Sequence, residues 1–195
     1  MIIGISGSAT PDSSTDLLIK EALRGASSQD TSVPDPKQTR FYRLNEMNVL
    51  PCQACGKSPE PDYCFFHDDA YDLITQMVAA QSVIFGSPVY FDSVSAQAKA
   101  FIDRCNCLRP ADFSNPEIQS FKRPLLTGKK GGLILVAGDY GKFDSALRTM
   151  RAFFIWIGIK IEFELTHKSR SLKPGEVAGN PEILADAYRK GQTLL

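Results

Sequence analysis

The stretch Ile2-Ile3-Gly4-Ile5-Ser6-Gly7-Ser8-Ala9-Thr10-Pro11-Asp12-Ser13-Ser14-Thr15-Asp16-Leu17-Leu18 decides how this chain is read. Its apolar start is too short for a helix and reads as a buried strand. The chain then breaks into Ser6-Gly7-Ser8, passes Pro11, and enters Ser13-Ser14-Thr15-Asp16 just before a helical pattern begins. A strand emptying into a hydroxyl-rich loop at a helix N-terminus is a site for a phosphate, because free backbone N–H groups and the positive end of the helix dipole point at it. Serine and threonine hydroxyls add donors without adding a cation. The same residue types are also the preferred helix caps, so a plain capped helix start is the alternative.

The loop narrows the ligand. It has neither the G-x-G-x-x-G spacing of dinucleotide folds nor the G-x-x-x-x-G-K-[ST] of triphosphate sites. No lysine or arginine lies between Gly4 and Leu18. A single terminal phosphate fits this better than a di- or triphosphate, whose greater charge recruits lysine or a metal.

Around this stretch, 195 residues are enough for one domain, expected to span 1–195, with a substantial core. Lys+Arg and Asp+Glu both total 22, and this balance argues against nucleic acid or an anionic membrane as the main partner. No apolar stretch is long enough to span a bilayer, and no basic region precedes an apolar segment at the start, so a cytoplasmic protein is expected.

Leu17, Leu18, Ala22 and Leu23 recur at helical spacing and predict a helix from Thr15 to about Ala26. Arg40 to Leu44 reads as a second strand, and Asn45 to Phe66 as a long irregular crossover of the kind that tends to carry function. Asp68 or Asp69 caps the next helix. Ser82 to Gly86 is a buried strand followed by a turn, Ser87-Pro88-Val89-Tyr90-Phe91, and then a helix with Val94, Ala98, Phe101 and Ile102 inside. Gly132 to Ala137 is a strand closed by Gly138-Asp139-Tyr140-Gly141; Ala146–Ile157 is a helix, Lys160–Leu165 the last strand, and Pro181–Gln192 a closing helix. Alternating strands and helices predict an α/β fold, a three-layer sandwich around a five-stranded parallel sheet. Ligands of such sheets bind beyond the carboxyl ends of the strands, where Ser6–Thr15, Ser87–Phe91 and Gly138–Lys142 all fall. Backbone N–H groups beside Pro88 suit the polar edge of a flat heterocycle, and an aromatic ring its face. Read as a plain strand end and a plain turn, the second and third loops need no ligand. His67 and His167 belong to no catalytic constellation, and no triad is visible.

Gly4-Ile5-Ser6-Gly7-Ser8 with Ser13-Ser14-Thr15, then Phe85-Gly86-Ser87-Pro88-Val89-Tyr90-Phe91, then Ser93-Val94-Ser95-Ala96-Gln97 through Lys99 and Ile102-Asp103-Arg104, resemble the NAD(P)H-dependent FMN reductase family, and most of all its iron–sulfur flavoprotein branch. The tail from Pro174-Gly175-Glu176-Val177 to Ala187-Tyr188 is similar too. The resemblance implies a flavodoxin-like fold with strand order 2-1-3-4-5 and FMN as cofactor. By position, Ser8, Ser13, Ser14 and Thr15, in the loop that starts at Ser6, would hold the phosphate. Pro88, Val89, Tyr90 and Phe91 would line the isoalloxazine, and Gly138 and Asp139 would close over its polar edge. The family is commonly dimeric or tetrameric, so a homodimer or homotetramer is expected.

The cysteines depart from that branch, whose cluster motif is C-x-x-C-x-x-C followed by a fourth cysteine. Here Cys52 and Cys55 are followed by Ser58, then Cys64. Three thiols fall short of the usual four, and an alkoxide substitutes poorly for a soft thiolate, so no stable cluster and no metal is expected. The alternatives are a zinc site completed by His67, a redox pair, or cysteines without a role; Cys105 and Cys107, at a helix end, read as ordinary.

Together these readings predict an FMN-dependent oxidoreductase. A nicotinamide, NADH or NADPH, would deliver hydride, and a quinone, free flavin or other small acceptor would take the electrons. The alternative is an electron-transfer flavoprotein exchanging electrons with a ferredoxin-like partner without using NAD(P)H.

Overall fold

A computed structural model describes residues 1–27, 39–55, 62–115, 117–171 and 173–194. In chain order the elements are β1 (Ile2–Ser6), α1 (Ser14–Ser27), β2 (Thr39–Arg43), α2 (Asp69–Ala79), β3 (Ser82–Tyr90), β4 (Ser93–Val94), α3 (Ala96–Arg104), β5 (Ala111–Asp112), β6 (Ser120–Phe121), β7 (Lys130–Ala137), α4 (Asp144–Ile157), β8 (Lys160–Lys168) and α5 (Pro181–Gly191). Five parallel strands lie in the order β2-β1-β3-β7-β8, which is the expected 2-1-3-4-5. Two short pieces escape sequence reading: β4 pairs antiparallel with the end of β3, and β5 with β6.

Helices cover both faces because the central strands β1, β3 and β7 are buried on both sides. Ile3 and Ile5 of β1 pack with Leu73, Ile74 and Met77 of α2, Phe101 of α3, and Met150, Phe153 and Phe154 of α4. Ile2, Ile84, Ile134 and Val136 point the other way, onto Leu18, Ile19, Ala22 and Leu23 of α1 and Ala187 of α5. Alpha-1 and α5 approach to backbone contact: a Cβ on Gly25 would stand 2.0 Å from the Tyr188 carbonyl oxygen, and one on Gly191 would stand 1.9 Å from that of Ala22.

The expected turn at 87–91 is a correction. Beta-3 runs through Ser87, Pro88 and Val89, which pair with Leu135, Val136 and Ala137 of β7. Pro88 is tolerated there because β1 stops opposite Gly86, leaving that flank of β3 without a parallel neighbour. The true turn is Phe91-Asp92, at φ +50° and +57°, joining Tyr90 to its partner Ser93. Two positive φ values make it the primed hairpin turn whose twist matches the strands. Val94, expected in a helix, lies in β4, and α3 is capped by Ser95, whose hydroxyl accepts from the Ala98 N–H.

Candidate functional site

The carboxyl ends of β1, β3, β7 and β8 carry the site. Register sets its first part. Ser6 pairs with Arg43 on one side and Gly86 on the other, so β1 and β2 end level while β3 runs on to Tyr90. Beyond them the 7–13 loop is held by its own chain: Gly7 N–H donates to the Gly86 carbonyl at 2.8 Å, and the Ser95 hydroxyl donates to the Gly7 carbonyl at 2.6 Å. A Cβ on Gly7 would meet Ala98 at 2.8 Å, so the loop must be glycine to lie this close to α3.

The five candidate hydroxyl residues of the loop divide. Ser6 is buried and donates to Asp16 Oδ1 at 2.5 Å, and its oxygen accepts from Ser8 N–H. Thr15 is buried beside Gly86, and the Ser14 hydroxyl accepts from Val177 N–H at 3.5 Å. Ser8 Oγ lies across the loop from Thr10, exchanging bonds with its carbonyl and N–H at 3.2 and 3.3 Å. Ser13 accepts from Asp16 N–H at 3.2 Å, starting α1. The N–H groups of Ser14 and Thr15 fall in the first turn of α1, where no intrahelical carbonyl reaches them.

Sequence reading missed the charge beneath this loop. Asp16 is fully buried in the first turn of α1, where its carboxylate would repel an anion. Arg43, from the end of β2, places Nε 3.0 Å from Asp16 Oδ2 with both side chains nearly inaccessible, an ion pair whose N–H is not aimed for a hydrogen bond. The same guanidinium donates to the Ala9 carbonyl at 3.3 Å, as does Asn45. A cation therefore does stand at the loop, recruited through the sheet.

The second part is a cleft of about 670 Å³ lined by Val89, Tyr90, Phe91 and Asp92, by residues 138–141, and by Ser169, Arg170 and Ser171. Val89, Tyr90, Phe91, Gly138 and Asp139 meet in it as the sequence suggested. Pro88 does not line it; it is buried in β3. Phe91 and Tyr140 are fully exposed rings and Tyr90 is half-exposed. Lys142 N–H donates to Asp92 at 2.8 Å, tying the 138–142 loop to the β3–β4 turn. The third wall came from no motif. Beta-8 continues past Leu165 through Thr166, His167 and Lys168, pairing to the end of β7, and delivers residues 169–171 to the cleft. Glu176 fixes that wall by accepting from Arg170 N–H at 3.2 Å and meeting His167 at 2.9 Å. Burial pushes the Glu176 carboxyl up, but His167 and the Arg170 N–H outweigh it and hold the group below its usual range.

The cysteine crossover lies at the same end of the sheet. Arg104, 2% exposed, donates to Leu50 O at 2.8 Å, Phe66 O at 3.0 Å and both Asp68 oxygens at 2.6 and 2.9 Å. Ser58 lies outside the described residues. His67 stacks on Tyr71 with ring centroids 4.3 Å apart, and among the described residues no three His, Cys, Asp or Glu side chains stand close enough to hold one ion, so the zinc alternative is not assembled. Cys107, on the helical turn after α3, lines a cavity together with Cys52 and Cys55.

A doubly wound sheet with a hydroxyl loop, an aromatic turn and a cleft at its carboxyl edge defines a flavodoxin-like protein. Residues 1–161 match the family described as NADPH-dependent FMN reductase, and the chain belongs to that family. It is 38% identical over 155 residues to an iron–sulfur flavoprotein of Methanocaldococcus jannaschii, covering 79% of this chain and 71% of that one. To an iron–sulfur flavoprotein of Archaeoglobus fulgidus it is 31% identical over 160 residues, 82% and 73% of the two chains. Among solved structures, a flavone reductase superposes with a TM-score of 0.71 at 17% identity; the match takes in 99% of this chain and 61% of that longer one, and speaks for the fold alone. FMN is the cofactor of this family, and the protein is an oxidoreductase of the flavoprotein class. The residues present fit FMN: first-turn N–H groups and hydroxyls around a neutralised carboxylate suit a monophosphate, and the aromatic-walled cleft suits a flat ring.

Proposed function

We propose that the protein passes electrons from NADH or NADPH to a small acceptor such as a quinone or free flavin, using FMN held across the loop and the cleft. The observation that carries this is that β1 stops opposite Gly86 while β3 and β7 run on to Tyr90 and Ala137, so that the hydroxyl loop and the aromatic turn both lie at the carboxyl edge of the sheet. Bound FMN supplies the hydride and electron chemistry. The chain's own residues bind and orient. Ser8, Ser13 and the N–H groups of Ser14 and Thr15 would take the phosphate, while Arg43 cancels the Asp16 charge beneath it. Val89, Tyr90 and Phe91 would flank the ring on one side, and Gly138 and Asp139 its polar edge. No side chain is needed as acid or base, in keeping with a site that has no triad. The exposure of Phe91 and Tyr140 supports assembly as a dimer or tetramer that covers the cleft.

Anaerobic mixing of the FMN-loaded protein with NADPH or NADH tests this reading. Bleaching of the flavin absorbance, and its return when a quinone is added, is expected. Absence of bleaching with either nucleotide would overturn it in favour of an electron carrier serving a protein partner.

A further inference from the structure

Past residue 161, where the match to the family ends, the chain builds one more part of the site. The wall of Ser169, Arg170 and Ser171 is braced from several directions. Ser169 N–H donates to the Ala137 carbonyl at 2.7 Å, and its hydroxyl to the Ser171 carbonyl at 2.8 Å. Lys168 Nζ donates to the Asp139 carbonyl at 3.1 Å and ties the wall to the 138–141 loop. Glu176 accepts from Arg170 N–H on both carboxylate oxygens, at 3.3 and 3.2 Å. The segment carrying Glu176 rests in turn on the hydroxyl loop. Val177 N–H reaches Ser14 Oγ at 3.5 Å, and a Cβ on Gly175 would stand 2.6 Å from the Asp12 carbonyl oxygen.

What this bracing presents is Arg170. The residue is exposed, and among the described residues its guanidinium has no hydrogen-bond or ion-pair partner. Arg170 is the one cation among the residues that line the cleft. Two carboxylates line it as well, Asp92 and Asp139, and Asp92 already accepts from Lys142 N–H at 2.8 Å.

A flavin ring in this cleft changes charge when it reacts. Hydride brings two electrons and one proton, so the neutral oxidised ring becomes a reduced ring with one net negative charge. A cation held beside it favours the reduced form and raises its potential. Carboxylates act in the opposite sense, and Arg170 offsets them. We propose that Arg170 stabilises the reduced ring and so tunes its potential, with Glu176 as the positioning residue that holds Arg170 at the cleft. This role rests on the proposed placement of the ring in the cleft and is independent of which donor or acceptor the protein uses.

The test compares FMN-loaded wild type with Arg170→Gln, Arg170→Lys, Glu176→Ala and Lys173→Gln. Lys173 is exposed and outside the cleft lining, so its variant controls for a general effect of surface charge. The dissociation constant of oxidised FMN and the midpoint potential from anaerobic dye equilibration together give the affinity for reduced FMN. Arg170→Gln should bind oxidised FMN within twofold of wild type and reduced FMN about tenfold more weakly, lowering the two-electron potential by about 30 mV. Arg170→Lys should bind the reduced form within threefold of wild type, and Lys173→Gln within twofold. Glu176→Ala separates positioning from bare charge: loss of a carboxylate alone would raise the potential, whereas release of Arg170 lowers it, and a fall is expected. Equal potentials in wild type and Arg170→Gln, or an equal fall in Lys173→Gln, would overturn the role of Arg170, and a rise in Glu176→Ala that of Glu176. Phe91→Gly reports the placement of the ring separately. If it weakens FMN binding while Arg170→Gln changes nothing, the ring lies in the cleft and Arg170 does not tune it; if neither changes FMN binding in either form, the placement fails and the role of Arg170 with it.

Discussion

Replacing Arg104 by methionine should be among the most damaging single changes in this chain. The substitution keeps length and apolar volume but removes four hydrogen bonds, two to Asp68 and one each to Leu50 O and Phe66 O. Both charges of the pair are buried, the Arg104 side chain 1% exposed and that of Asp68 7%. Removing one partner of a buried pair leaves the other uncompensated and costs about 3–5 kcal/mol. With a urea dependence of about 2 kcal/mol per molar, the midpoint of unfolding should fall by roughly 1.5–2.5 M. The transition can be followed by the fluorescence of Trp156, the single tryptophan. Pairing Arg104→Met with Asp68→Asn should recover part of the loss, because no charge is then stranded. Acid sharpens the test. Burial pushes the Asp68 carboxyl up, yet Arg104 and the Leu50 and Tyr71 N–H groups outweigh it and hold the pKa below its ordinary 3.8. A lowered folded pKa stabilises at pH above the unfolded value, and the contribution disappears as pH falls through the folded one. The deficit of Arg104→Met should therefore be full at neutral pH and shrink below pH 3.8. A midpoint shift worth less than about 1 kcal/mol at neutral pH would refute the clamp, since exposed pairs contribute no more than that.

Gly25→Ala should cost about 1–3 kcal/mol by forcing α1 off the Tyr188 carbonyl, with FMN affinity unchanged; thermal unfolding and FMN titration read the two effects separately. Phe91→Gly should stabilise the FMN-free protein by about 1 kcal/mol, relieving the positive φ. The same change should speed FMN release, because the ring wall is lost; equal release rates would remove Phe91 from the flavin site.

The fold was legible because its strands carry apolar residues toward both faces: Ile2 and Ile3, or Val83 and Ile84, leave a strand no solvent side. Element ends were less so. Beta-8 extends through Thr166, His167 and Lys168, polar residues that remain in the sheet because β7 offers them backbone partners. Likewise Ser87-Pro88-Val89 looks like a turn until β7 is seen pairing with it. What stayed hidden in the site is long-range pairing. Arg43 reaches Asp16 because β1 and β2 are in register, and Cys107 shares a cavity with Cys52 and Cys55 because α3 and the crossover are pinned by one arginine. Local pattern carries none of that information. The absence of lysine and arginine from residues 4–18 was a correct observation about the loop and an incomplete one about its electrostatics.

FMN titration into the cofactor-free protein, wild type against Ser8→Ala and Ser13→Ala, tests the central claim most directly. The account predicts one FMN per chain and a loss of about 1.5–3 kcal/mol of binding for each hydroxyl removed, roughly ten- to a hundredfold in affinity. Equal affinity in all three proteins would contradict it.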